Sequence, residues 1–144
     1  MEKPLVLISA QPDNPSFFWQ TAVNLRNQRE YGTSDKAQVL IFLPKSRERE
    51  GFHGGWKFLE QKFPETKFFY YKDPGTVERT WKTFHYIPIL RPYCLQKHFE
   101  RFPELKDAAI YYYDSDTVFT SSPDWLYKYK DDNVNYLSDT KSYI

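Results

Sequence analysis

Two aspartates separated by one serine, Asp114-Ser115-Asp116, follow directly on the apolar run Ala108 to Tyr113. Residues two apart on an extended chain point to the same side. Both carboxylates therefore aim at one spot just past the end of a strand. Two carboxylates held that close repel unless a cation lies between them or one takes a proton. A hard divalent ion, Mn2+ or Mg2+, resolves the repulsion most simply, held by oxygen ligands and sharing its remaining positions with phosphate. The spacing thus predicts a metal–diphosphate site, with Asp114 and Asp116 as metal ligands. The competing reading is a polar turn that closes the strand, because Asp and Ser favour turns.

A second candidate is Arg91. If the helix expected between Pro88 and Phe102 includes it, the helical period sets Arg91 and His98 among Ile87, Cys94, Leu95 and Phe102. A guanidinium in an apolar stripe is costly unless an anion meets it, which would turn Arg91 toward a carboxylate or phosphate. If the helix begins at Pro92, Arg91 is only near its start, and a surface ion pair is the plain reading. Cys94 and His98, four apart, have the spacing of a metal or Cys–His pair, but with no further ligand in view they read as core. Gly51, Gly54 and Gly55 lack the GxxxxGK pattern of a phosphate loop and read as an ordinary loop. The three consecutive tyrosines, Tyr111 to Tyr113, read as sheet packing.

The elements that must carry these residues are legible as continuous apolar runs. Leu5-Val6-Leu7-Ile8, Val39 to Leu43 and Phe68 to Tyr71 predict buried strands, joined by the strand before Asp114. Asn14-Pro15 is a helix-start pair for a helix to about Glu30, with Phe18, Ala22 and Leu25 on one face. Trp56, Leu59 and Phe63 mark a short helix, and Val77, Trp81 and Phe84 another. Ser122-Pro123 begins a further short helix with Trp125 and Leu126, and Val134 to Leu137 predicts a last strand. Both faces of the strand before Asp114 are apolar, as in a central strand. Alternating strands and helices give an α/β fold, an open, mostly parallel sheet with flanking helices, in a single domain over 1–144. Ligands on such sheets bind outside the carboxyl ends of the strands.

Composition narrows the function classes. The 144 residues are 40% hydrophobic and 19% aromatic, enough for a real core. Twenty Lys+Arg against nineteen Asp+Glu leave a formal charge of +1, so no strong field draws nucleic acid or an anionic membrane. The N-terminal apolar run is too short for a signal core or a membrane span. One cysteine, Cys94, permits no internal disulfide and suits a reducing compartment. A cytoplasmic domain is the expectation.

The apolar strand, Asp114-Ser115-Asp116 and Thr117-Val118-Phe119 resemble the DxD motif of GT-A fold nucleotide-sugar glycosyltransferases, of the glycogenin-like and peptidyl-serine galactosyltransferase-like kind. The preceding helix with Arg91, the Phe102-Pro103-Glu104-Leu105 bend and Tyr136 to Thr140 add to the likeness. The resemblance implies a metal-dependent transfer of sugar from a nucleotide-sugar, UDP-linked, to a hydroxyl of a glycan or protein acceptor. It implies Asp116 as the direct metal ligand, Asp114 on the ribose or on metal-bound water, and Ser115 beside the nucleotide. Ala10 and Gln11 would meet the base, Arg91 the diphosphate or the motif, and Asp139 the donor sugar. Enzymes of this family usually continue past the motif and often supply a later metal-binding His. Here the chain stops at Ile144, and His53, His85 and His98 all precede the motif. Three expectations follow for this donor-binding part: the chain is a fragment, a partner chain completes its acceptor site, or transfer activity has been lost. Two other readings remain: a non-catalytic GT-A-like interaction module of a larger assembly, and a metal-dependent phosphoesterase.

Overall fold

The computed structural model describes residues 2–137. Four strands, β1 (Leu5–Pro12), β2 (Ala37–Leu43), β3 (Lys67–Lys72) and β4 (Ala109–Tyr112), form one sheet in the order β3-β2-β1-β4. Every neighbouring pair is parallel. Parallel neighbours require crossovers, and helices supply them: α1 (Pro15–Glu30), α2 (Gly55–Lys62), α3 (Thr76–Phe84), α4 (Leu90–Arg101) and the trailing α5 (Asp124–Tyr129). The protein is thus an α/β fold with an open parallel sheet.

Strand alternation sorts the core onto two faces. Leu25, Val39, Ile41, Trp56, Leu59 and Phe63 pack where α1 and α2 cover the sheet. Ile8, Leu40, Phe42, Tyr71, Leu90 and Cys94 pack under α3 and α4. Leu126 of α5 joins Leu5, Leu7 and Tyr113. Full burial of each such aliphatic or aromatic side chain contributes about 1.5–3 kcal/mol.

Helix starts follow local chemistry. Asn14 accepts from Ser16 N at 2.9 Å and Pro15 occupies the first turn. Asp73 accepts from Gly75, Val77 and Glu78 N, which satisfies donors at the start of α3 that have no partner within the helix. Gly55 must be glycine for a steric reason: a Cβ there would lie 2.7 Å from Phe18.

Several expectations need correction. β4 is an edge strand among the described residues, not a central one. Its apolar composition arises because side chains on both faces, such as Ile110 and Tyr111, still pack into core clusters. Val134 to Leu137 form no strand; Leu137 is 91% exposed, so nothing there drives burial. Phe84 is exposed and does not share the buried face of Val77. On α4 the buried stripe is Leu90, Cys94 and His98, and Ile87 lies outside it, exposed.

His98 is fully buried. Its Nε2 donates to Gln38 Oε1 at 2.6 Å, which leaves Nδ1 to accept from the Tyr71 hydroxyl at 2.5 Å. Burial pushes the imidazole down to about 4, with Arg101 adding to the effect. Burial also raises the Cys94 thiol to about 12. Neither has the environment of a metal ligand, and both are core residues.

Candidate metal and diphosphate site

The strand order places the site. The chain steps from β1 to β2 to β3 in one direction and then sets β4 on the other flank of β1. The carboxyl ends of β1 and β4 are therefore where the order reverses, the position at which open α/β sheets leave a crevice for ligands. Pairing with β1 extends one residue past β4, through Tyr113 N to Ile8 O at 3.1 Å. Asp114, Ser115 and Asp116 come next.

Beyond the Tyr113 bond to β1, α1 holds the segment through Phe119. Gln28 Nε2 donates to the Tyr113 hydroxyl at 2.8 Å. Ser115 Oγ donates to Gln20 Oε1 at 2.8 Å. Asn24 Nδ2 donates to Thr117 O at 2.6 Å. Asn27 makes a two-point contact, donating to Phe119 O at 2.9 Å and accepting from Phe119 N at 2.7 Å. Every second residue is thus tied inward, and the residues between them face out. Tyr113 and Ser115 are buried, whereas Asp114, Asp116 and Val118 are exposed. Both carboxylates are exposed, but Asp114 to Thr117 form a turn closed by Thr117 N donating to Asp114 O at 3.0 Å, which is the competing reading of the motif and not an extended chain.

Arg91 lies in the first turn of α4, and its Nη1 meets Asp114 Oδ1 at 3.2 Å. It reaches the carboxylate from beside the buried stripe, not from within it. The side chains of Arg91 and Asp114 are 28% and 49% exposed, so the pair is open to solvent and to ligands. Exposed pairs of this kind contribute about 0–1 kcal/mol, which suits a contact that can be exchanged.

The other expected residues lie elsewhere. Ala10 is buried in the cluster under α3 and α4. Gln11 is buried, with Nε2 donating to Leu40 O at 2.6 Å, while its Oε1 has no hydrogen-bond partner among the described residues. Both side chains are buried within the sheet layers. Asp139 lies outside the described residues.

Sequence reasoning missed two features. Gln20, Asn24, Asn27 and Gln28 recur at helical spacing, an amide row with no charge in it; that was the available signal. The second is Asp13, which reads as a turn residue but is a buried carboxylate. It accepts from Trp56 Nε1 at 2.7 Å, His53 N at 3.1 Å and Arg47 Nη1 at 3.1 Å. It ties the loop before α2 to the end of β1.

Asp114 and Asp116 offer carboxylate oxygen, the donor type that a hard divalent cation takes. Both are carboxylates on the exposed side of one segment. Among the described residues no group of three or more His, Cys, Asp and Glu could hold a metal. Mg2+ is commonly held by one or two carboxylates plus substrate phosphates and water, and two outward carboxylates beside an arginine match that division. Among the described residues no helix is long and apolar enough to cross a membrane. Comparisons with protein-family models, with curated proteins and with solved structures gave no match.

Proposed function

We propose that this chain binds a nucleotide-sugar, UDP-linked, through a divalent metal, and serves as the donor-binding part of a glycosyltransferase of GT-A type. The observation that carries the reading is the outward pair Asp114 and Asp116 at the β1/β4 reversal, with Arg91 on Asp114. Mn2+ or Mg2+ bound there would neutralise charge on the leaving diphosphate. The chain's own residues supply the rest. Asp114 and Asp116 hold the cation, and Arg91 is placed to exchange its carboxylate partner for a phosphate oxygen. Such an exchange suits a guanidinium, whose planar fork matches carboxylate and phosphate alike. Ser115 is occupied by Gln20, so in this reading it acts on the backbone of the motif and not on the nucleotide. The acceptor is a glycan or protein hydroxyl, and a reducing, cytoplasmic setting keeps Cys94 a thiol.

The test is thermal unfolding with UDP-sugars, with and without Mn2+. A ligand at a hundred times its Kd stabilises by about 2.7 kcal/mol, a rise in Tm of roughly 5–10 °C for a domain of this size. Asp116→Ala should abolish the rise. No shift with any common nucleotide-sugar and metal overturns the proposal, and hydrolysis of a generic phosphodiester would favour a phosphoesterase.

A second reading is a non-catalytic interaction module. It is favoured by the segment between α3 and α4, where Phe84, Tyr86 and Ile87 are 72%, 58% and 54% exposed. A stable complex by size and mass, without nucleotide binding, would support it.

A further inference from the structure

Helix α1 buries polar side chains where a packing helix would bury leucines: Thr21, Asn24 and Gln28 are buried beside Leu25. A buried amide is unfavourable unless hydrogen-bonded, and replacing it with a well-packed apolar residue is often neutral or stabilising. The amides of Gln20, Asn24, Asn27 and Gln28 spend their bonds on one short stretch, Tyr113 to Phe119, and on each other through Gln28 and Asn24, apart from a long 3.5 Å bond that Gln28 Oε1 accepts from Thr33. Packing alone asks only for apolar contact there. What the amides add is register: alternate residues are fixed inward, so a one-residue slip would turn the carboxylates into the protein.

We infer that α1 is the template that presents the two aspartates, and that Gln20 is a positioning residue acting through Ser115. Ser115 sits between the carboxylates, is 6% exposed, and makes its side-chain bond to Gln20. Pinning Ser115 restrains the backbone from which Asp114 and Asp116 project. Asn24 and Asn27 then fix the chain leaving the motif, and the Thr117 N to Asp114 O turn at 3.0 Å closes it. The inference rests on the metal reading above for its consequence, although the hold on the segment does not.

The test uses Gln20→Met, which keeps volume and removes the acceptor, Gln20→Glu, which keeps an acceptor, Ser115→Ala, and the double variant Gln20→Met with Ser115→Ala. One readout is amide hydrogen exchange across residues 114–117 in metal-free protein. The other is uptake of Mn2+ in the presence of UDP, followed by the electron paramagnetic resonance of free Mn2+. Gln20→Met and Ser115→Ala should each speed local exchange and weaken Mn2+ uptake about five- to tenfold, the fold-change that one net hydrogen bond carries. The double variant should be no worse than either single one, because both remove the same bond. Gln20→Glu should restore slow exchange. Unchanged exchange or unchanged Mn2+ uptake in Gln20→Met overturns the inference. Absence of Mn2+ uptake by the wild-type protein, with faster exchange in Gln20→Met, overturns the metal reading and leaves the hold of α1 on the segment standing.

Discussion

Lowering the pH from 7 to 5 should destabilise this protein chiefly through His98. The imidazole is fully buried among Phe69, Tyr71 and Phe102, with Arg101 near enough to oppose a second positive charge. Its folded value is about 4 against an ordinary 6.5. A depressed histidine favours the folded state only while both states are neutral. Its contribution is therefore complete above pH 6.5 and is lost as the unfolded chain takes a proton that the folded chain refuses. With those two values, linkage removes about 2 kcal/mol by pH 5 and about 3 kcal/mol by pH 4, a substantial part of the 5–15 kcal/mol typical of a domain. Urea unfolding at pH 7, 6, 5 and 4 measures this directly. His98→Gln removes the titrating group, so it should lose most of the slope between pH 6.5 and 5 whatever its stability at pH 7. Glu78 and Glu65, both held near 2 against an ordinary 4.5, add to the loss only from about pH 5 downward, as the unfolded carboxyls take protons, so the slope between pH 6.5 and 5 belongs to His98. An equal slope in His98→Gln, or an imidazole that titrates near 6.5 by nuclear magnetic resonance, would refute the reasoning.

Two stability predictions concern the loop that Asp13 anchors. Gly55→Ala would place a methyl 2.7 Å from Phe18 Cε2 and 3.0 Å from His53 Nδ1; overpacking of this kind costs about 1–3 kcal/mol, readable as a lower urea midpoint with unchanged slope. Asp13→Ala leaves Trp56 Nε1 and His53 N without their acceptor and Arg47 without its buried partner. The expected loss is about 2–4 kcal/mol, from buried donors left unsatisfied at about 1–3 kcal/mol each, and a change under 1 kcal/mol in the same assay would show that water replaces the carboxylate.

The sheet was legible because parallel strands covered on both faces are continuous apolar runs, and β1, β2 and β3 are such runs. The start of α1 was legible from Asn14-Pro15, whose side-chain bond and fixed φ are local. The edge position of β4 was not, because an edge strand packed on both faces carries the same residues as a central one. The inner face of α1 was hidden for a related reason: apolar periodicity marks what packs, and Asn24 and Gln28 are inside to make hydrogen bonds. The spacing of Asp114 and Asp116 was read on an extended chain, whereas the pair lies in a turn whose exposed face is set by a helix about ninety residues earlier. Arg91 was found by the wrong route, since the true stripe of α4 runs through Leu90, Cys94 and His98.

That distance has a kinetic consequence. The bonds between α1 and the Tyr113–Phe119 segment join residues 85 to 95 apart in sequence. Contacts of such long range demand closure of a large loop before they return anything, and they form late in folding relative to local helices. β4 must dock on β1 before the amides of α1 have a segment to hold. The carboxylates would therefore reach their working orientation at the end of folding, after the three strands β1, β2 and β3 have assembled. A chain released early would carry a formed sheet and an unset motif, so ligand binding would report completion of the fold and not merely its presence.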